Sequence, residues 1–331
     1  MKNIFLLTAF AVLLGVATAS AQQISVVNSG STTLYQNLPA AINGAPEGSV
    51  IYLPGGGFPL PDSVKITKKL TIIGIGHKST NDNVDGFTTI AGNVFFNGGS
   101  DGSAIMGCLI SGNVCIGHDN VSVNNILVKR CNVNAVNSQA NCENIVVSQN
   151  YIRNTSPIRG CGSLVTNNIL HSLREMNSAI ICYNIIMYNT TTTQNTWHSC
   201  FYKVDNSNIH NNIIIDKGDH GPSSGCNNIQ AYRNMFINCN WGDSCVSLPT
   251  GTSWEDVFVK WNDGGINTMN DFHFKEAYQQ YHDIGIYGNG VNGFDDHQTA
   301  PVPYITGKQI DQETDAAGQL GIKIRVKASG D

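Results

Sequence analysis

Between His198 and His220 the chain gathers His198, Lys203, Asp205, His210, Asp216, Lys217, Asp219 and His220, its densest run of side chains able to move protons or hold charge. Two chemistries suit such a set. β-Elimination on a uronic acid needs a base to remove the proton beside the carboxylate and a cation to stabilise the charge that develops. Lys203 or Lys217 would be the base, Arg174 the neutralising cation, and Asp216 with Asp219 a pair able to hold Ca²⁺ through oxygen ligands. Glycoside hydrolysis would instead use two carboxylates, for which Asp205, Asp216 and Asp219 are available.

A second group is defined by spacing. Three to six positions past a recurring Asn stand Lys129 and Arg130, then Arg153, His171 and Arg174, Tyr188, and finally Asp216 and Lys217. Charged residues make up only 13% of the chain, so their return at one offset predicts a cationic and aromatic row along a groove. Such a row suits an acidic polysaccharide, because Arg binds carboxylates through paired hydrogen bonds. Trp241 would add a ring for stacking on a sugar. The plainer alternative is that the end of a strand is where side chains turn outward and become polar. His118, His273, His282 and His297 are scattered without metal-ligand spacing, so Ca²⁺ is the one cofactor implied.

The elements that must position these residues are repeats. Asn125, Asn150, Asn168, Asn184, Asn212 and Asn234 are each followed by an apolar run, at intervals of 25, 18, 16, 28 and 22 residues. Imperfect periods of this size mark a stacked solenoid. Each repeat holds short β-branched segments between Asn, Ser, Gly or Cys, with no helix-length amphipathic run, which predicts the layers of an all-β, parallel β-helix. Asn suits the corners because it tolerates left-handed backbone angles, and in register its side chains can form a ladder. A leucine-rich horseshoe is excluded by the absence of its Leu-x-x-Leu-x-Leu frame.

Residues 1–21 read as a signal peptide, with Lys2, an apolar stretch over 4–16 and the small residues Ala19-Ser20-Ala21. The expected location is therefore outside the cytoplasm, in the periplasm, on the outer surface or secreted, with no transmembrane segment. The formal charge of -5 argues against nucleic acid as a partner. All ten cysteines lie between Cys108 and Cys245, and seven recur near the repeat length. That spacing favours buried thiols over a disulfide framework, and the lack of any Cys-x-x-Cys pair disfavours zinc. The parallel β-helix is expected over 22–250, with a short helix around 35–42 capping its first layer. A closing region follows over 251–300, and the tail 301–331 carries the alternating strand Leu320 to Lys327. No feature sets an oligomeric state.

The opening motifs Leu38-Pro39-Ala40-Ala41-Ile42, Gly48-Ser49-Val50-Ile51-Tyr52-Leu53-Pro54-Gly55-Gly56 and Lys68-Lys69-Leu70-Thr71-Ile72-Ile73-Gly74 resemble the first coils of pectate-lyase-like right-handed β-helix proteins. The segment Asp283-Ile284-Gly285-Ile286-Tyr287-Gly288 is similar to the closing segment of exported β-helix proteins of Bacteroides-type bacteria. The resemblance implies the fold, with a small C-terminal β region, but little about activity, since one scaffold hosts many functions. Asp219-His220-Gly221 only echoes the Gly-His-Gly of polygalacturonase-like enzymes, and the sole Asp-Asp, Asp295-Asp296, lies outside the repeats. The sequence therefore points first to an exported protein that binds extracellular carbohydrate or serves as an adhesin-like surface protein. A lyase or hydrolase of uronate-containing polysaccharide is the alternative.

Overall fold

The structure is a computed structural model. It describes residues 23–78, 86–188, 199–216, 223–237, 241, 244–262, 266, 270–289, 293–294, 296, 304–310, 313–314 and 318–327. The expected signal peptide, residues 1–21, and the Thr-rich stretch 190–196 lie outside the described residues.

The chain is mostly β, organised around two long sheets. In the first, Ser49–Tyr52, Leu70–Ile73, Ala104–Met106, Leu127–Lys129, Val146–Ser148, Leu164–Thr166, Ile180–Cys182, Asn208–His210 and Gln230–Tyr232 pair in parallel, one strand per repeat. The second runs from Gly56–Pro59 to Val246–Leu248, with Ile169–Asn177, Ile185–Tyr188, Ile213–Asp216 and Met235–Ile237 as successive parallel members. A shorter third row, Val94–Phe96, Val114–Ile116 and Val136–Ser138, joins the second sheet at Tyr151–Cys161. It continues through Ile169–Asn177 to Phe201–Tyr202 and Ser223–Ser224. This is a β-helix-like stack of parallel repeats.

Period-2 alternation explains what the stack buries. The aligned central residues Ile105, Val128, Val147, Val165, Ile181 and Ile209 of the first sheet turn into one core. They meet Leu170, Ile186, Ile214 and Phe236 from the second sheet and Phe96, Ile116, Val136, Leu173 and Phe201 from the third row. Each fully buried aliphatic or aromatic side chain of this kind contributes roughly 1.5–3 kcal/mol.

The corner between the first and second sheets repeats one conformation. Arg130, Gln149, Asn167, Tyr183, Asn211 and Arg233 all take left-handed angles, with φ between 51° and 57°. The left-handed residue is thus the one before the marker Asn. The markers themselves, Asn150, Asn168, Asn184, Asn212 and Asn234, are fully buried and form the expected ladder. Each Oδ1 accepts from the backbone N–H of the preceding member at 2.9–3.1 Å, as Asn168 does for Asn150 and Asn234 for Asn212. Each amide nitrogen also donates to a carbonyl of the first sheet, Val128, Val147, Val165, Ile181 or Ile209. Cys131 and Cys108 occupy the same position in earlier repeats. Cys131 donates its backbone N–H to Asn150 Oδ1 at 2.8 Å. Asn125 is not a ladder member: it sits at a different corner, itself left-handed at φ 60°.

Among the described cysteines, Cys108, Cys115, Cys131, Cys142, Cys161, Cys182, Cys226 and Cys245 carry free thiols, and Cys108, Cys131, Cys142, Cys182 and Cys200 are buried. The helix near the N-terminus forms over Leu38–Gly44, capped by Asn37 and burying Leu38, Ala41 and Ile42. It is not seen as a cap. The outermost strand of the first sheet is instead Ser31–Tyr35, antiparallel to Ile24–Asn28.

Beyond the repeats the chain returns to cover the second sheet. A short helix, Trp254–Val257, leads into the antiparallel pair Phe258–Lys260 and Asp271–Phe274. Val257, Phe258, Phe272, Phe274, Ile284, Ile286 and Phe294 then bury Tyr151, Ile169, Ile185, Met187, Ile213, Ile215 and Met235, which face away from the main core. The left-handed corner row anchors this return. Asn211 Nδ2 donates to Asp283 O, Asn167 Nδ2 to Ile286 O and Gln149 Nε2 to Gly293 O, at 2.8–2.9 Å. Arg233 grips both oxygens of Asp283. Among the described residues no helix is long and apolar enough to cross a membrane.

Candidate functional site

The expected row is divided, with its first members, Lys129 and Arg130, off the second sheet. Lys129 lies on the first sheet between Met106 and Ser148. Arg130 is a corner residue only 5% exposed, and its Nε donates to Gln149 Oε1 at 2.6 Å. Both were counted from Asn125, which belongs to another corner. On the second sheet, Arg153 Nη2 donates to the carbonyl of Ile110 at 3.0 Å. Tyr188 is buried at 2% exposure. Trp241 stacks on Phe201, with centroids 5.5 Å apart, and meets Phe236 edge-on. Its ring, partly buried, packs against the main core.

Part of the set does converge, on the third row. Parallel register places Arg174 beside Tyr202, and Tyr202 beside Ser224. The Arg174 guanidinium lies 5.8 Å from the centre of the Tyr202 ring, and Lys203 Nζ lies 5.3 Å from it. A cation within about 6 Å of a ring centroid is attracted by the ring's quadrupole. Lys203 is exposed and left-handed at φ 50°, so it stands at the turn after the strand, while its N–H is spent on Ser224 O.

His171 belongs to the same strand as Arg174. Its Nδ1 lies 3.1 Å from Ser172 Oγ and 3.5 Å from Thr155 Oγ1, and its ring meets Tyr188 edge-on at 5.1 Å. Burial lowers its pKa, and the Arg174 charge lowers it further. Both act against the imidazolium, so the ring is neutral at pH 7. The cluster thus combines two cations, a phenol ring and a neutral imidazole. It can hold a carboxylate or sulfate, and it has one group able to accept a proton.

Among the candidate carboxylates, Asp205 is engaged elsewhere. Asp205 Oδ1 accepts from the N–H and Nδ2 of Asn227 at 2.7 and 3.0 Å, which commits it to a turn. Asp216 ends the strand Ile213–Asp216, with its backbone paired to Tyr188. Lys217, Asp219 and His220 lie outside the described residues, as does His198. Among the described residues no three His, Cys, Asp or Glu side chains are grouped to hold a metal ion. Tyr202 was not singled out by sequence, although Phe201-Tyr202-Lys203 carries an aromatic pair directly before the lysine. Searches against protein-family models, curated proteins and solved structures found no match to this chain.

Proposed function

We propose that the sheets are the walls of a closed, right-handed parallel β-helix of an exported protein, which binds an acidic glycan through His171, Arg174, Tyr202 and Lys203. The single observation carrying this reading is the placement of Arg174 and Lys203 against one tyrosine ring at the side of the stack. Charge is scarce in this chain, and a guanidinium and an ammonium near one aromatic ring suit a carboxylate or sulfate group of an acidic glycan. The opening and closing motifs that resemble exported β-helix proteins support the setting. The neutral imidazole of His171, beside Arg174, supports a second reading in which the bound uronate undergoes β-elimination.

Titration of the protein with oligomers of polygalacturonate, alginate and glycosaminoglycans tests the first reading. Hydrogen bonds to charged groups carry about 1.5–3 kcal/mol, so Arg174→Ala and Lys203→Ala should each weaken binding roughly tenfold or more. Neutral glycans should bind in neither case. Wild-type protein that binds no acidic glycan would remove the proposal. Absorbance near 235 nm in the same mixtures reads the second, where His171→Ala should abolish product without abolishing binding.

A further inference from the structure

The first sheet begins on a bare edge. Its outermost strand, Ser31–Tyr35, pairs with Ile24–Asn28 on one side, and among the described residues no strand lies on the other. Ser31, Thr32, Thr33 and Leu34 are all exposed, Leu34 at 53%. An uncovered edge is a template for a further strand, and proteins usually blunt it with charge, proline, a bulge or a covering element. This strand has none of them. Its register with Ile24–Asn28 is unbroken, and no side chain from Gln22 to Pro46 is charged.

Register fixes which groups the edge offers. Asn28 and Ser31 flank the two-residue turn Ser29-Gly30, whose φ angles of 46° and 82° suit a tight hairpin. The flanking pair therefore exchanges both of its hydrogen bonds, as do the alternate pairs Val26 with Thr33 and Ile24 with Tyr35. Thr32 and Leu34, between them, turn their N–H and C=O groups outward. Ser25 and Val27, which stand opposite these two, point the other way, toward Tyr52 and Val50.

The outward groups match a second copy of themselves. Laid antiparallel about a two-fold axis through Thr33, Thr32 of each copy meets Leu34 of the other. Every outward N–H then finds an outward C=O. Moving the axis to Thr32 or Leu34 leaves one of the two residues with no partner inside the strand. The side chains agree with this register: Thr33 faces its own counterpart, and Thr32 lies against the exposed Leu34. Charge agrees as well. The chain carries a formal charge of -5, so two copies approach most easily through a stretch that carries none.

We propose that Ser31–Tyr35 is a self-association edge, through which two copies join their first sheets into one continuous sheet across a two-fold axis at Thr33. An isologous contact of this kind closes at two copies. It uses a single strand from each copy, so the dimer comes apart on dilution.

Sedimentation equilibrium of the full mature chain over a wide concentration range tests this. The wild-type chain should approach twice the monomer mass, and high salt should change the association constant by less than about twofold, because the contact is uncharged. Thr32→Pro removes an outward N–H without touching the pairing to Ile24–Asn28, and should lower the association constant by roughly tenfold to a hundredfold. The axis sets position 33 opposite itself in a non-hydrogen-bonded pair, where side chains are closest. Thr33→Asp and Thr33→Lys chains should therefore each stay monomeric, and mixing them should give a one-to-one dimer. The mixing arm still decides if Thr32→Pro disturbs the hairpin. A wild-type chain monomeric throughout would overturn the proposal. So would a dimer equally tight with Thr32→Pro, or a mixture no more associated than its parts.

Discussion

Asn184 has no solvent exposure, and its side chain lies within hydrogen-bonding distance of five partners. Nδ2 faces Val165 O, Cys182 O and Asn212 Oδ1, while Oδ1 accepts from the N–H and Nδ2 of Asn168. Truncation at the middle of the ladder strands donors and acceptors where water cannot replace them, at about 1–3 kcal/mol per buried group. Asn184→Ala should therefore destabilise the protein by roughly 3–5 kcal/mol in denaturant titration. Cysteine already occupies this position at Cys131, where Sγ lies 3.3 Å from Lys129 O. Asn184→Cys should accordingly cost less than Asn184→Ala; equal losses would show that polar satisfaction is not what the position demands. Cys131 itself carries a pH signature. Burial pushes its thiol from 9.0 up to about 12. The folded chain then holds a proton that the unfolded chain releases across that window. Its contribution is complete below pH 9 and is lost as the pH rises toward 12. Stability should fall by up to about 1.4 kcal/mol per pH unit for this one group, and Cys131→Ala should flatten the slope. Cys108, Tyr151 and Tyr287, also raised by burial, act in the same direction. Parallel slopes in wild-type and Cys131→Ala protein would clear the thiol of any part in the alkaline loss.

At the scale of elements, the repeats were legible because the ladder and the strands obey local rules. An amide before an apolar run marks a corner, and alternation marks a buried column. The runs Ile185-Ile186-Met187 and Ile213-Ile214-Ile215 carried a further message, since strands apolar at consecutive positions are covered on both faces. What covers them was not legible. Phe258, Phe272, Ile284 and Phe294 come from well beyond the repeats, in segments with no period of their own, and their pairing with Ile169 or Ile213 is wholly non-local. The slip at Asn125 had a local cause: both it and the ladder Asn precede apolar residues, and only register separates the two corners. The candidate site was legible in its residue types but not in its geometry. Arg174, Lys203 and His171 could be named from scarce charge. The alignment of Arg174 with Tyr202 was hidden because repeat length changes between their strands, so fixed offsets lose the column.

For the whole molecule the consequence is a division of labour between a stack and its cover. Each repeat touches only its neighbours, so the stack's stability is close to a sum of repeat and interface contributions. The cover is different, because it packs over Tyr151, Ile169, Ile185, Met187, Ile213, Ile215 and Met235. A chain ending after Leu248 would bare these side chains as one contiguous strip along the second sheet. Apolar patches beyond roughly 300–600 Å² are rare on soluble monomers and drive association. Such a chain should aggregate or elute as large oligomers on refolding. A chain ending after Ala300 keeps the cover and its anchors at Gln149, Asn167, Asn211 and Arg233 while losing the Tyr304–Ile310 and Ile322–Lys327 hairpin. It should remain soluble, with the denaturation midpoint of the full chain. Size-exclusion chromatography and denaturant titration of the two truncations decide the matter. If the chain ending at Leu248 were monomeric and unfolded at the full-length midpoint, the second sheet would be stable bare, and the return of the chain across it would need another explanation.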